Sequence, residues 1–141
     1  MKKIFLALVA LVMSISANAF EFDGIDLNGS MLSITRNISL RGYVMDDAKQ
    51  CLKGNCQGKE IYLRFNFDDV NQKGKLGQLI VDIPMAEKDA VKVVTETFNV
   101  IYHMIEGDVP TYLVDNDGTT VAVTAENGAV HLVYTTPNYK K

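Results

Sequence analysis

The chain has 141 residues, of which 48% are hydrophobic and 22% are charged, and its formal net charge is −3. A chain of this size and composition is typical of one globular domain. Acidic and basic residues are interspersed along it, so the sequence does not predict nucleic acid or an anionic membrane surface as a partner.

The N-terminus has the three parts of a bacterial secretory signal. Two lysines come first, apolar residues 4–15 follow, and Ala17-Asn18-Ala19 matches a cleavage site. The apolar stretch is about a dozen residues, shorter than the roughly twenty of a membrane-spanning helix. Cleavage after Ala19 would leave Phe20 at the N-terminus, whereas a lipid anchor needs a cysteine there. We therefore expect a periplasmic or secreted protein without a membrane span or a lipid anchor.

Removal of residues 1–19 would leave residues 20–141, which we interpret as a single domain. Two of the 14 basic residues and none of the 17 acidic residues lie in the signal, so the net charge becomes −5 after cleavage. A chain of this length can bury a core without needing disulfides.

A helix is the first predicted element of this domain. Met31, Ile34 and Ile38 follow one another at helical spacing after Asn28-Gly29-Ser30, and Gly42 is typical of a helix end. Three strands follow, the first of them within residues 50–56. The other two are Glu60 to Phe67 and an alternating run that ends at Pro84, which cannot donate to a sheet ladder.

A second, longer helix is predicted from Ala86, because apolar residues from Val91 to Ile105 recur every three or four positions. A short strand from Tyr112 to Val114 and two further strands come next. Asn127-Gly128 is a typical two-residue hairpin turn and predicts the register of this last pair. Ala125 pairs with Val130, Val123 with Leu132 and Val121 with Tyr134 on one face, and Thr124 lies opposite His131 on the other.

These elements predict an α+β fold, an antiparallel sheet with the helices packed on one face. Their order suggests two copies of an αβββ unit, at about residues 28–84 and 85–136. The other face of the sheet would be open, and five side chains are predicted to form an exposed binding face there: Tyr62, Arg64, Asn66, Thr124 and His131.

Several segments carry a family resemblance. They are the stretch FDGIDLNGSM from Phe22 to Met31, Arg41-Gly42-Tyr43, Leu52-Lys53-Gly54 and Val81-Asp82-Ile83-Pro84. Together they resemble a family of small secreted proteins from Bacteroides-type bacteria. The resemblance implies tandem αβββ modules, similar in architecture to β-lactamase-inhibitor protein, with no assigned activity.

Cys51 and Cys56 are the only cysteines, and export to an oxidising compartment would permit a disulfide. In one unbroken strand they would lie roughly 16 Å apart on opposite faces, too far for a bridge. A turn at Lys53-Gly54-Asn55 would instead bring them face to face. The family resemblance favours the continuous strand, with the turn at Gln57-Gly58. The spacing also differs from the Cys-x-x-Cys of redox enzymes.

No metal site is predicted. His103, placed on the polar face of the second helix, and His131 are the only histidines, and neither has the close neighbours that zinc requires. The segment Asp115-Asn116-Asp117-Gly118 suggests a calcium loop. However, Leu113 and Thr124 would fill its first and last ligand positions, and neither is a carboxylate.

The sequence contains no nucleophile elbow, phosphate-binding loop or Ser-His-Asp order, so we predict no catalytic residues and no cofactor. The function we expect is a non-enzymatic module that binds an envelope or extracellular protein. The alternative is a small carbohydrate-active or hydrolytic accessory protein. Sugar sites commonly use broad aromatic platforms, and this chain has six tyrosines but no tryptophan.

Overall fold

A computed structural model of the chain describes residues 21–22, 25–48, 50–56, 58–69, 73–84, 87–114 and 118–139. The predicted signal at residues 1–19 lies outside these ranges. The first three residues of the segment that suggested a calcium loop, Asp115-Asn116-Asp117, also lie outside them.

The described residues form two helices and ten strands. The helices are α1 (Met31–Leu40) and α2 (Glu87–Ile101). The strands are β1 (Glu21–Phe22), β2 (Ile25–Asp26), β3 (Val44–Asp46), β4 (Cys51–Cys56), β5 (Lys59–Phe67), β6 (Leu76–Pro84), β7 (His103–Ile105), β8 (Thr111–Leu113), β9 (Thr120–Glu126) and β10 (Ala129–Thr135).

Eight of these strands form one antiparallel sheet, in the order β3-β4-β5-β6-β10-β9-β8-β7. β1 and β2 pair only with each other. Strands β3 to β6 follow α1 as a meander, and β7 to β10 follow α2 in the same way. The two meanders meet where the last strand of one, β6, pairs with the last strand of the other, β10.

The predicted α+β class and the two αβββ units are wrong. One eight-stranded sheet dominates the described residues, so the fold is mainly β. The prediction missed β3 and β7, the short strands that follow the helices. α2 ends at Ile101, and His103 to Ile105, which continue its apolar spacing, instead pair with β8. A strand of three residues is too short for an alternating pattern to reveal it.

The predicted helix start after Asn28-Gly29-Ser30, the helix end at Gly42 and the Asn127-Gly128 hairpin are confirmed. Ser30 is the N-cap of α1, where its hydroxyl oxygen accepts a hydrogen bond from the Ser33 amide at 3.3 Å. Gly42, with φ of +88°, follows the C-cap. Asn127 and Gly128 have φ of +55° and +77°, and the predicted pairing of β9 with β10 is the observed one.

One face of the sheet carries the core. Residues that alternate along the central strands point to this face, and residues from both helices pack on it. The core residues of the four central strands are Ile61, Leu63, Leu76, Leu79, Val81, Ile83, Val121, Val123, Val130, Leu132 and Tyr134. Ile34 and Ile38 from α1 and Val94 and Phe98 from α2 complete the same cluster. Both helices therefore cover this face.

Gly54 gives strand β4 a close contact with the core. The Tyr43 ring, only 3% exposed, lies against the strand at this position. A Cβ atom on residue 54 would lie 2.6 Å from Cε2 and 2.7 Å from Cγ of that ring. The ring therefore takes the space that any other side chain would need.

The substitution Gly54→Ala is expected to destabilise the protein by about 1–3 kcal/mol, the usual cost of overpacking a filled site. Urea unfolding followed by circular dichroism measures it. Asn55→Ala, at the exposed neighbouring position, is the matched control and should change the free energy of unfolding by less than about 0.5 kcal/mol. Equal stability of the two variants would show that the Tyr43 ring does not occupy this site.

Candidate functional site

The face of the sheet opposite the core, here called the open face, has an apolar row between two polar rows. Ile80, Val133 and Ala122 lie side by side on β6, β10 and β9 and are half-buried. One flanking row consists of Tyr62, Asp82, His131 and Thr124. The other consists of Asn66, Gln78, Thr135 and Thr120. An apolar strip with a polar border resembles the composition of protein interfaces.

Hydrogen bonds link the second polar row across three strands. The Asn66 side-chain amide donates to Oε1 of Gln78 at 3.3 Å, and the Gln78 amide donates to the Thr135 hydroxyl at 3.3 Å. These bonds connect polar side chains of β5, β6 and β10 on this part of the open face.

A pocket of about 380 Å³ opens at the other polar row. Side chains from β5 form one wall and the β9–β10 hairpin turn forms the other. Its lining consists of Cys51, Tyr62, Arg64, Asp82, Pro84, Glu126, Asn127, Gly128, Ala129 and His131. We call it the Arg64 pocket. Its volume suits a small group rather than a large ligand.

Asp82 is the central polar residue of the Arg64 pocket. It is only 8% exposed although it lies on the open face. Its Oδ1 atom is hydrogen-bonded to Nδ1 of His131, and its Oδ2 atom lies 3.7 Å from a guanidinium nitrogen of Arg64. A buried carboxylate is costly unless it is paired, and these two partners offset that cost. Asp82 thereby fixes the positions of an imidazole and a guanidinium.

Cys51 lies at the edge of the pocket, and its thiol is not a good nucleophile. Burial raises its pKa, and the negative charges of Asp46 and Asp82 raise it further. The Arg64 guanidinium, which hydrogen-bonds the thiol, acts in the opposite direction but does not reverse the shift. The reactive form of cysteine is the thiolate, which this environment disfavours.

Tyr62 lines the Arg64 pocket, and its hydroxyl takes part in a short network of polar contacts. Its hydroxyl donates to Oε1 of Glu60 at 2.7 Å, and the same oxygen lies 3.6 Å from Nζ of Lys53. The bond to Glu60 raises the pKa of Tyr62 to about 12, because it favours the protonated phenol. The Glu60 carboxylate is thus already engaged by two donors.

The structure places all five residues of the predicted binding face on the open face. Tyr62, Arg64 and His131 come together at the Arg64 pocket, while Asn66 and Thr124 lie outside its lining. Sequence reasoning did not single out Asp82 or Glu126. The alternation Gln78-Ile80-Asp82 put Asp82 on this face, but no local signal showed that β6 would pair with β10.

The residues from Cys51 to Cys56 form one continuous strand, as the family resemblance implied, without a turn at Lys53-Gly54-Asn55. Both cysteines lie in β4, at its two ends, and Cys51 is a free, buried thiol. His103 begins β7 instead of lying on the helix as predicted, and it is exposed. Within the described part of the chain, no three His, Cys, Asp or Glu residues are grouped as metal ligands would be.

Thiol labelling checks this arrangement of the cysteines. In a Cys56→Ser variant, iodoacetamide should modify native Cys51 far more slowly than the unfolded chain, because the thiol is buried and its pKa is raised. The wild-type protein, unfolded without reductant, should react at two thiols. Labelling that appears only after reduction would show that the cysteines are bridged.

Comparison of the chain with known protein families, with curated proteins and with solved structures found no match. The geometry of the open face is therefore the main evidence on the function of the chain.

Proposed function

We propose that this chain is an exported, non-enzymatic module that binds an envelope or extracellular protein through its open face. The observation that carries the proposal is the pattern of that face: the half-buried apolar row Ile80-Val133-Ala122 between two polar rows. A partner would bury the apolar strip and exchange hydrogen bonds with its borders.

The Arg64 pocket gives such an interface an anchor. Arginine and tyrosine are enriched among the residues that dominate binding energy, and both border this pocket. Asp82 holds His131 by a hydrogen bond before any partner arrives, which reduces the entropy lost on binding, and it forms an ion pair with Arg64. Preorganised donors beside an apolar strip favour recognition of a specific partner over non-specific hydrophobic association.

The periplasmic or secreted location is part of the proposal and is supported by the N-terminal sequence, with cleavage after Ala19. Neither described helix is long and apolar enough to cross a membrane. The resemblance to the Bacteroides-type secreted family stays a prediction and agrees with the same location.

Site-specific photo-crosslinking tests the proposal. A benzophenone side chain at Asn66, exposed on the open face, should crosslink one reproducible protein in the native envelope, because a partner would cover this position. The same group at Lys92, exposed on α2, is the control and should not crosslink that protein. Arg64→Glu should abolish the Asn66 crosslink, whereas Arg36→Glu on α1 should leave it intact. Identical crosslinks from Asn66 and Lys92 would contradict binding through the open face.

A hydrolytic or carbohydrate-active role is the second candidate. The observation in its favour is the hydrogen-bonded Asp82–His131 pair with a second carboxylate, Glu126, on the same pocket. Such a role predicts turnover of ester, peptide or glycoside substrates that His131→Gln reduces at least about a hundredfold, the usual contribution of a general base. Turnover that survives this substitution would exclude the Asp82–His131 pair as its source.

A further inference from the structure

We propose that the Arg64 pocket binds a carboxylate group of the partner, with Arg64 as the principal donor. This inference rests on the proposed function and adds the chemistry of the recognised group. It is carried by the Arg64 guanidinium, which is half-exposed at the pocket and has no closer charged partner among the described residues than Asp82 at 3.7 Å.

Two carboxylates near Arg64, those of Asp82 and Glu60, already have partners. Asp82 uses Oδ1 for His131, and its Oδ2 faces the Arg64 guanidinium. Glu60, beyond Tyr62, accepts from the Tyr62 hydroxyl and pairs with Lys53. A cationic ligand would have to displace these partners from each carboxylate.

Arg64, in contrast, retains most of its hydrogen-bonding capacity. Its guanidinium has five N–H donors, and the 3.7 Å separation from Asp82 is an ion pair longer than a hydrogen bond. The Cys51 thiol that it also contacts is a weak acceptor. The Arg64 side chain is 52% exposed, so the remaining donors are accessible. A planar guanidinium of this kind matches a carboxylate in a bidentate geometry.

The negative charges at the pocket select the kind of anion. Asp82 lies directly beside Arg64, and Glu126 lies on the hairpin wall. These two carboxylates outnumber the single positive charge of Arg64, so the net repulsion on a dianionic phosphate is about twice that on a singly charged carboxylate at the same position. The pocket therefore favours a carboxylate over a phosphate.

The remaining lining accommodates the stem of such a group. Pro84 and Ala129, paired across β6 and β10, supply apolar surface next to His131. A volume of about 380 Å³ holds one side chain or one terminal residue. The carboxylate can belong to an aspartate or glutamate side chain or to a C-terminus, and both present the same chemistry.

Titration of the purified, ¹⁵N-labelled protein with four probes tests this assignment. N-acetyl-alanine represents a C-terminal carboxylate and N-acetyl-glutamate α-amide a side-chain carboxylate, and the controls are N-acetyl-alaninamide and inorganic phosphate. At least one carboxylate probe should cause saturable shifts of the Asp82, Gly128 and His131 amides, and neither control should match it. Equal binding of the alaninamide or of phosphate would overturn the assignment.

Substitutions at Arg64 test whether its guanidinium is the hydrogen-bond donor and whether its positive charge is required. Arg64→Gln should weaken carboxylate binding about tenfold or more, since hydrogen bonds to charged groups are the strong ones. Arg64→Lys, which keeps the charge and loses the fork, should lie between Arg64→Gln and the wild type. Arg36→Gln on α1 should bind as the wild type does.

Glu126→Gln gives the decisive contrast, because removal of a negative charge should maintain or tighten the binding of an anion. Weaker carboxylate binding in Glu126→Gln, or unchanged binding in Arg64→Gln, would overturn the proposal. A partner crosslinked from Asn66 without any response to carboxylate probes would leave the proposed function standing and reject this inference. Carboxylate binding without a crosslinked partner would support the assignment of the Arg64 pocket and count against the proposed function.

Discussion

The antiparallel pairing of β6 with β10 determines both the shared core and the arrangement of the open face. Seven residue pairs, from Ala129 opposite Pro84 to Thr135 opposite Gln78, join the two meanders into one sheet. β6 and β10 are also the two central strands, so their inward side chains meet residues of both helices in a single core. Without this pairing each meander would have an additional unpaired edge, which a sheet has to protect.

The same pairing creates the candidate site. Side chains alternate between the faces of a strand, so the register that buries Val81 and Leu132 also places Asp82 beside His131 on the open face. Asp82 comes from the first meander and His131 from the second, and Arg64 joins them from β5. The cost of burying the Asp82 carboxylate on this face is offset by the two partners that a ligand would meet.

Local sequence signals predicted a large part of the elements but not their assembly. The start of the first helix after Ser30 and the Asn127-Gly128 turn were predicted because each depends on neighbouring residues and a defined backbone geometry. β3 and β7 were missed because pairing with a neighbouring strand, rather than an alternating pattern, determines them. Tyr62, Arg64 and His131 were placed on the correct face by alternation alone. Their convergence on Asp82 depends on the contact of distant segments, which one sequence does not encode locally.

Nuclear Overhauser contacts between β6 and β10 test the pairing of the two meanders. We expect cross-strand backbone contacts between Asp82 and His131 and between Ile80 and Val133, together with a hydrogen-bonded imidazole proton at Nδ1 of His131. Contacts that pair β6 with a different strand would contradict the shared sheet, and a His131 imidazole unaffected by Asp82→Asn would contradict the site built on it.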